Sequence, residues 1–165
     1  MRLIILKLMH SVMKKFILLL LITSVCAVSC KKEKKNLRAS KPVEEGILGD
    51  WFTTSETHEF YNAKNEKVFT STVAPNWKYI ISQNLSIHNP EGQRLYKIPY
   101  TLNKSNNKTY LNFTNNNVSE VYEITSLEET TMGWRQEKIN VSYNDNGVKM
   151  AAKQVITMAF KCPCM

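Results

Sequence analysis

RLYKIPYTL, Arg94 to Leu102, alternates with a period of two. Tyr96, Ile98, Tyr100 and Leu102 fall on one face, and Lys97, Pro99 and Thr101 on the other. Alternation of this kind marks a half-buried β-strand, because successive side chains point to opposite faces of a sheet. Pro99 has no N–H to give a ladder, so it points to an edge or a bulge at that position.

The same period continues outward. KTYLNF supplies Leu111 and Phe113, and EVYEI supplies Tyr122 and Ile124. VKMAAKQVITMAF places Val148, Met150, Ala152, Ile156, Met158 and Phe160 on one parity, with Lys149, Lys153 and Lys161 opposite. In TTMGWRQEKINVSY, Met132 and Trp134 share one parity while Ile139, Val141 and Tyr143 hold the other. That change of phase predicts a β-bulge within Arg135 to Lys138.

Turn chemistry separates the runs. NPEG, Asn89 to Gly92, has Pro second and Gly fourth, as a type I turn prefers. KSNNK, the Asn115 to Asn117 run and NDNG at Asn144 to Gly147 are further breaks. Asn-x-Ser/Thr triplets such as Asn112-Phe113-Thr114 belong to the same Asn-rich turn composition. No stretch carries helical periodicity or a phosphate-binding glycine loop. The fold class is therefore all-β: eight or nine short antiparallel strands in a meander, closed as a barrel or packed as a sandwich.

With 165 residues and 43% hydrophobic content, the chain has room for one core. The formal charge of +8 is unevenly spread. From Gly46 onward 12 Lys/Arg stand against 11 Asp/Glu, a net of +1. The basic excess lies in the first 45 residues, chiefly the leader and Lys31, Lys32, Lys34 and Lys35, so no nucleic-acid partner is expected.

That leader, MKKFILLLLITSVCAVSC from Met13 to Cys30, has a positive start at Lys14 and Lys15 and an apolar stretch from Phe16 to Val25. Ala27, Val28 and Ser29 then lead into Cys30, and Met13 is a candidate translation start. The uncharged run from Phe16 to Ser29 would span ~21 Å as a helix, against a hydrocarbon core of roughly 30 Å. The expectation is a signal peptide over residues 1–29 rather than an uncleaved anchor.

Ala27-Val28-Ser29-Cys30 resembles the lipobox of bacterial lipoproteins. The resemblance implies that Cys30 is thioether-linked to a diacylglycerol and becomes the mature N-terminus, usually acylated (for example with palmitate) as well. One acyl chain binds membranes reversibly, whereas two or three make the attachment effectively permanent. Residues 30–46 then read as the lipidated cysteine and a flexible Lys/Glu/Ser/Pro tether, and residues 47–165 as the folded domain. The implied location is the bacterial cell envelope. The basic KKEKK after Cys30 suggests the periplasmic side of the outer membrane.

ILGDWFTT opens that domain with Gly49-x-Trp51, similar to the Gly-x-Trp opening of lipocalins and lipocalin-like domains. YEITSLEETTMGW, Tyr122 to Trp134, resembles the late hairpin of small bacterial lipocalin-like lipoproteins. The resemblance implies an up-and-down β-barrel with Gly49 and Trp51 as structural residues and Trp51 plugging the closed end. The family usually stacks a basic side chain on that Trp, for which Arg135 and Lys161 are the candidates. A barrel of about eight strands has an interior that side chains can fill or that holds one small ligand.

Two functions are compatible with this pattern. In the first, a small apolar ligand sits among Tyr96, Tyr100, Phe113, Met132, Trp134 and Met150. In the second, the same residues form a solid core and the protein is a structural, interaction or inhibitor lipoprotein. No catalytic arrangement is recognisable, so neither an enzyme nor a cofactor is expected. His58 and His88 stand in separate segments and read as satisfied or surface histidines. Glu44-Glu45 and Glu128-Glu129 read as solvated charges. At the C-terminus, Cys162, Cys164 and Met165 are soft ligands suited to a metal such as Cu(I). The other readings of the two cysteines are a disulfide, which an oxidising envelope permits, redox chemistry, and an inert tail.

Overall fold

The computed structural model describes residues 41–163. The signal segment, Cys30, most of the tether, Cys164 and Met165 lie outside the described residues. Ten antiparallel strands form a nearly closed β-barrel. They are β1 (Gly49–Tyr61), β2 (Lys67–Val73), β3 (Lys78–Ile81), β4 (Leu85–His88) and β5 (Arg94–Ile98). They continue with β6 (Tyr100–Ser105), β7 (Lys108–Asn115), β8 (Val118–Leu127), β9 (Thr131–Asn144) and β10 (Val148–Lys161). The expected up-and-down meander is present from β3 to β10, and β1 pairs with both β3 and β10. β2 stands outside that path and pairs with the upper half of β1, Glu56 to Tyr61.

Pro99 is the seam. Tracing the antiparallel pairings round the sheet, β5 and β6 run in the same direction, separated only by Pro99. They are two halves of one bent strand whose first half pairs with β4 and whose second half pairs with β7. Proline cannot donate to a ladder, so it sits where the strand changes partners.

Asparagine makes the tight turns. Asn106-Asn107 and Asn116-Asn117 all have positive φ, and each pair joins strands paired at the flanking residues. Those are two-residue type I′ turns, which need the left-handed region that Asn tolerates best after Gly. The NPEG turn closes as expected, with the Gly92 N–H donating to Asn89 O at 3.0 Å.

The expected bulge in Arg135–Lys138 is not found, since the β9–β10 register runs unbroken through those residues. Bulges occur instead at Thr54 in β1 and Thr125 in β8. The first turns the inward parity from Trp51 and Thr53 to Glu56, His58 and Phe60. At the second, a Cβ on Gly133 would lie 2.7 Å from Thr125 Oγ1, so only glycine fits opposite the bulge without a shift. The phase of β9 and β10 reverses further on, where Asn140 has φ 52° and the Asn140–Ala152 pair is missing from the ladder. Beyond it Ala151 is buried while Val148 and Met150 are exposed, and Ile139, just before it, is exposed as well. Tyr143 there stacks on Phe60 at 4.7 Å and Phe69 at 5.4 Å, forming a small aromatic cluster with β2.

The lower barrel is solid. Trp51 is fully buried and its Nε1–H donates to Ile47 O at 2.7 Å. Trp134 lies 4.6 Å from Phe160 and 5.5 Å from Tyr79, ring centre to ring centre. Tilted and edge-to-face contacts at these spacings fill the volume between the strands. The end of the expected tether is also folded: α1 (Val43–Gly46) is a single helical turn, with Gly46 and Ile47 buried and Glu44 paired to Lys104 at 2.8 Å.

Candidate functional site

Above the ring-filled floor the barrel interior turns polar. The Thr54 bulge directs Glu56 and His58 of β1 inward, where β10 presents Gln154, β9 presents Gln136 and Lys138, and β8 presents Glu120 and Tyr122. His58 Nε2 lies 2.7 Å from Glu56 Oε1, and its Nδ1 lies 2.8 Å from Gln154 Nε2. Gln136 donates its amide N–H to Glu120, which also holds Lys138 at 3.2 Å. That contact orients the Gln136 amide, because its carbonyl would repel the carboxylate.

Several polar atoms in this layer are left over. Gln136 Oε1 and Trp134 Nε1 are buried with no hydrogen-bond partner. Neither the Tyr79 nor the Tyr122 hydroxyl has a partner among the described residues. Burial pushes both phenols well above the ordinary tyrosine range. The Glu56 carboxylate adds to this for Tyr79, and Glu120, Tyr79 and Glu56 add to it for Tyr122. A primary amide, a phenol and two carboxylates, from Gln136, Tyr122, Glu56 and Glu120, therefore face the barrel interior next to the ring-filled floor to which Tyr79 belongs. An unpartnered buried polar atom costs about 1–3 kcal/mol, so this layer is organised for something other than stability.

The raised phenols set an alkaline limit. The folded state holds those two protons more tightly than the unfolded chain, so their stabilisation is complete below the unfolded tyrosine value of 10.0. It is lost as pH climbs from there through the raised folded values. Urea midpoints are expected to fall from about pH 10 upward, and less so in a Tyr79→Phe, Tyr122→Phe double variant. An unchanged alkaline slope in that variant would assign the loss to other groups.

Five of the six residues expected to hold a ligand lie in or against one buried core, and the sixth does not. Met132 and Trp134 are buried in the floor, Phe113 is buried on β7, and Tyr96 and Tyr100 are half-buried beside that core. Met150 is a correction: it is 68% exposed, because the reversal at Asn140 turns it outward. Tyr100 and Phe113 line a surface depression of about 270 Å³ beside Pro99. A larger one of about 540 Å³ lies between Phe52, Thr54, Asn76, Thr130, Lys161 and Cys162, and none of the six lines it.

Both domain histidines are satisfied, His58 by Glu56 and Gln154, and His88 by Gly92 O at 3.2 Å. Arg135 pairs with Glu137, and Lys161 is exposed. Glu128 accepts from Thr131 in the β8–β9 turn at 3.1 Å. Cys162 is buried and disulfide-bonded, and a disulfide sulfur has no thiolate to offer a metal. No cluster of three metal-ligating side chains occurs among the described residues, and no helix among them is long and apolar enough to cross a membrane.

The polar layer was not legible in the sequence. SETHEF is polar on both parities, so alternation does not reveal which face is inside. The only signal is the run of unbroken β-period on either side of it.

Compared with protein-family models, curated proteins and solved structures, the chain matches none.

Proposed function

We propose that the protein is a bacterial envelope lipoprotein, anchored through lipidated Cys30, whose lipocalin-like barrel holds one small molecule in its upper half. The observation that carries the ligand half is the pair of buried polar atoms without hydrogen-bond partners, Gln136 Oε1 and Trp134 Nε1, beside the inward carboxylates of Glu56 and Glu120. A barrel meant only as a scaffold gains nothing from burying them unpaired. The anchor half is supported by the lipobox at Ala27 to Cys30 and by the charged tether after it. The aromatic body of the site suits an organic molecule with an apolar part.

The filled floor supports a second reading, a structural or inhibitor lipoprotein with a solid core. The two separate in a melting experiment. A molecule that binds only the folded state raises the melting temperature, by about 2.7 kcal/mol of stability at a hundredfold excess over Kd. Protein purified natively from its membrane should therefore melt several degrees higher than the same sample unfolded in urea, dialysed and refolded. Identical melting of two fully refolded samples would favour the solid scaffold.

A further inference from the structure

We propose that the free edge of β2 is a self-association surface, on which a second copy of this chain pairs antiparallel through Phe69 to Val73. β2 is bonded to β1 on one side only, and among the described residues its other edge makes no backbone hydrogen bond. Backbone N–H and C=O groups alternate between the two sides of a strand, so half of those in β2 point into open space. Sheets blunt such edges with charge, proline, a bulge or a covering loop. Here those devices stand outside the stretch. Lys67 is held by Glu59 at 2.9 Å, Val68 is the extra residue at the β1–β2 register shift, and Pro75 follows the strand. Phe69 to Val73 carries no charge, proline or glycine. Thr70, Thr72 and Val73 are exposed, and Phe69 and Ser71 are half-buried.

The stretch is complementary to itself. Two copies crossed about Ser71 place Phe69 opposite Val73, Thr70 opposite Thr72, and Ser71 opposite Ser71. Aromatic with β-branched and hydroxyl with hydroxyl are cross-strand pairs that stabilise a sheet, and no like charges meet. The faces match as well. Phe69, Ser71 and Val73 share the side of the Phe60–Tyr143 ring cluster, while Thr70 and Thr72 lie on the other, where Thr72 bonds Thr57 at 3.1 Å. The remaining edge of β2 is taken by β1, so the two-fold pair closes on itself and does not extend into a fibre. Five residues from each chain bury less than the ~1,200 Å² of a stable solution complex. On the lipid-anchored reading above, on which this clause alone rests, confinement to one membrane supplies the local concentration. The two-fold sets the barrels head to tail along the membrane. Residues 31–42, at ~3.3 Å each, span ~40 Å when extended and allow that posture.

Cysteine cross-linking of the full chain in intact cells tests this. Ser71→Cys should give a covalent dimer on mild oxidation, since residue 71 meets its own copy on the axis. Val73→Cys should not, because its offset of four positions puts the two backbones ~13 Å apart at that residue, beyond the ~7 Å that a disulfide spans between Cα atoms. Adding Thr70→Lys and Thr72→Lys to Ser71→Cys sets lysine opposite lysine twice and should cut the linked product about tenfold. A co-expressed copy with Thr70→Glu and Thr72→Glu should restore it. All variants are checked for native unfolding midpoints, and both threonines are exposed. Failure of Ser71→Cys to link, equal linking of Val73→Cys, or linking indifferent to the lysines would each overturn the pairing. Fractionation of the same cells scores the anchor separately: linked protein in the soluble fraction would overturn the membrane clause and leave the pairing standing.

Discussion

Trp51→Ala is expected to remove about 3–5 kcal/mol from the barrel, the usual cost of deleting a buried tryptophan side chain. Trp51 is fully buried where β1 begins, and its indole N–H is bonded to Ile47 O at 2.7 Å. Across the β1–β3 ladder it faces Tyr79, whose ring packs on Trp134 and Phe160. Deletion therefore opens a cavity beneath the ring cluster and leaves the Ile47 carbonyl without its donor. A small domain is held by roughly 5–15 kcal/mol in total, so the variant should lose most of its stability or fail to accumulate. Trp77 is half-buried, and its backbone rather than its ring is bonded to Thr53. Trp77→Ala should cost less, about 1–2 kcal/mol. Urea unfolding of residues 36–165, which form one compact unit, compares the two. Equal, small losses would mean that Trp51 does not close the barrel.

Cys30→Ser is expected to abolish acylation and signal-peptide cleavage altogether. The reading assigns every acyl chain of the anchor to that one residue: the diacylglycerol on its sulfur and the further chain on the amine that cleavage frees. A serine oxygen cannot form the thioether, and without it the signal peptide stays uncut. At about 0.8 kcal/mol per buried methylene, losing these chains removes the whole lipid anchor and leaves only the uncut leader. The variant should run as an unprocessed precursor with no label from radioactive palmitate. Normal labelling would overturn the lipobox reading. In intact cells the native protein should resist external protease, since the segment after Cys30 is basic; digestion would place it on the outer surface instead.

Much of the fold can be read from side-chain alternation and turn residues. Tyr96 to Leu102, Leu111 with Phe113, and Ile156 to Phe160 all alternate cleanly because one face of each strand is buried and the other is wet. Pro99 announced the strand break by lacking an N–H, and the paired asparagines announced breaks between strands, which the structure resolves as type I′ turns. Reversals of phase were harder to place. Apolar residues on both parities of β9 show that a reversal exists, but its position depends on the backbone of Asn140, whose side chain resembles that of any other polar strand residue. Ile139 and Met150 were consequently assigned to the wrong side of it. The Thr54 and Thr125 bulges left no apolar signature, since Thr fits both faces of a sheet. The interior polar layer was hidden for a related reason: Glu56, His58, Gln136 and Gln154 alternate with other polar residues. Only the assembled barrel separates those that face inward from those that face water.

Native mass spectrometry of the protein purified from its own membrane reads both halves of the account at once. The expected mass is that of the chain beginning at Cys30, increased by its acyl groups and by one small molecule that leaves as a single species on gentle activation. An unmodified chain with no bound molecule would contradict the account.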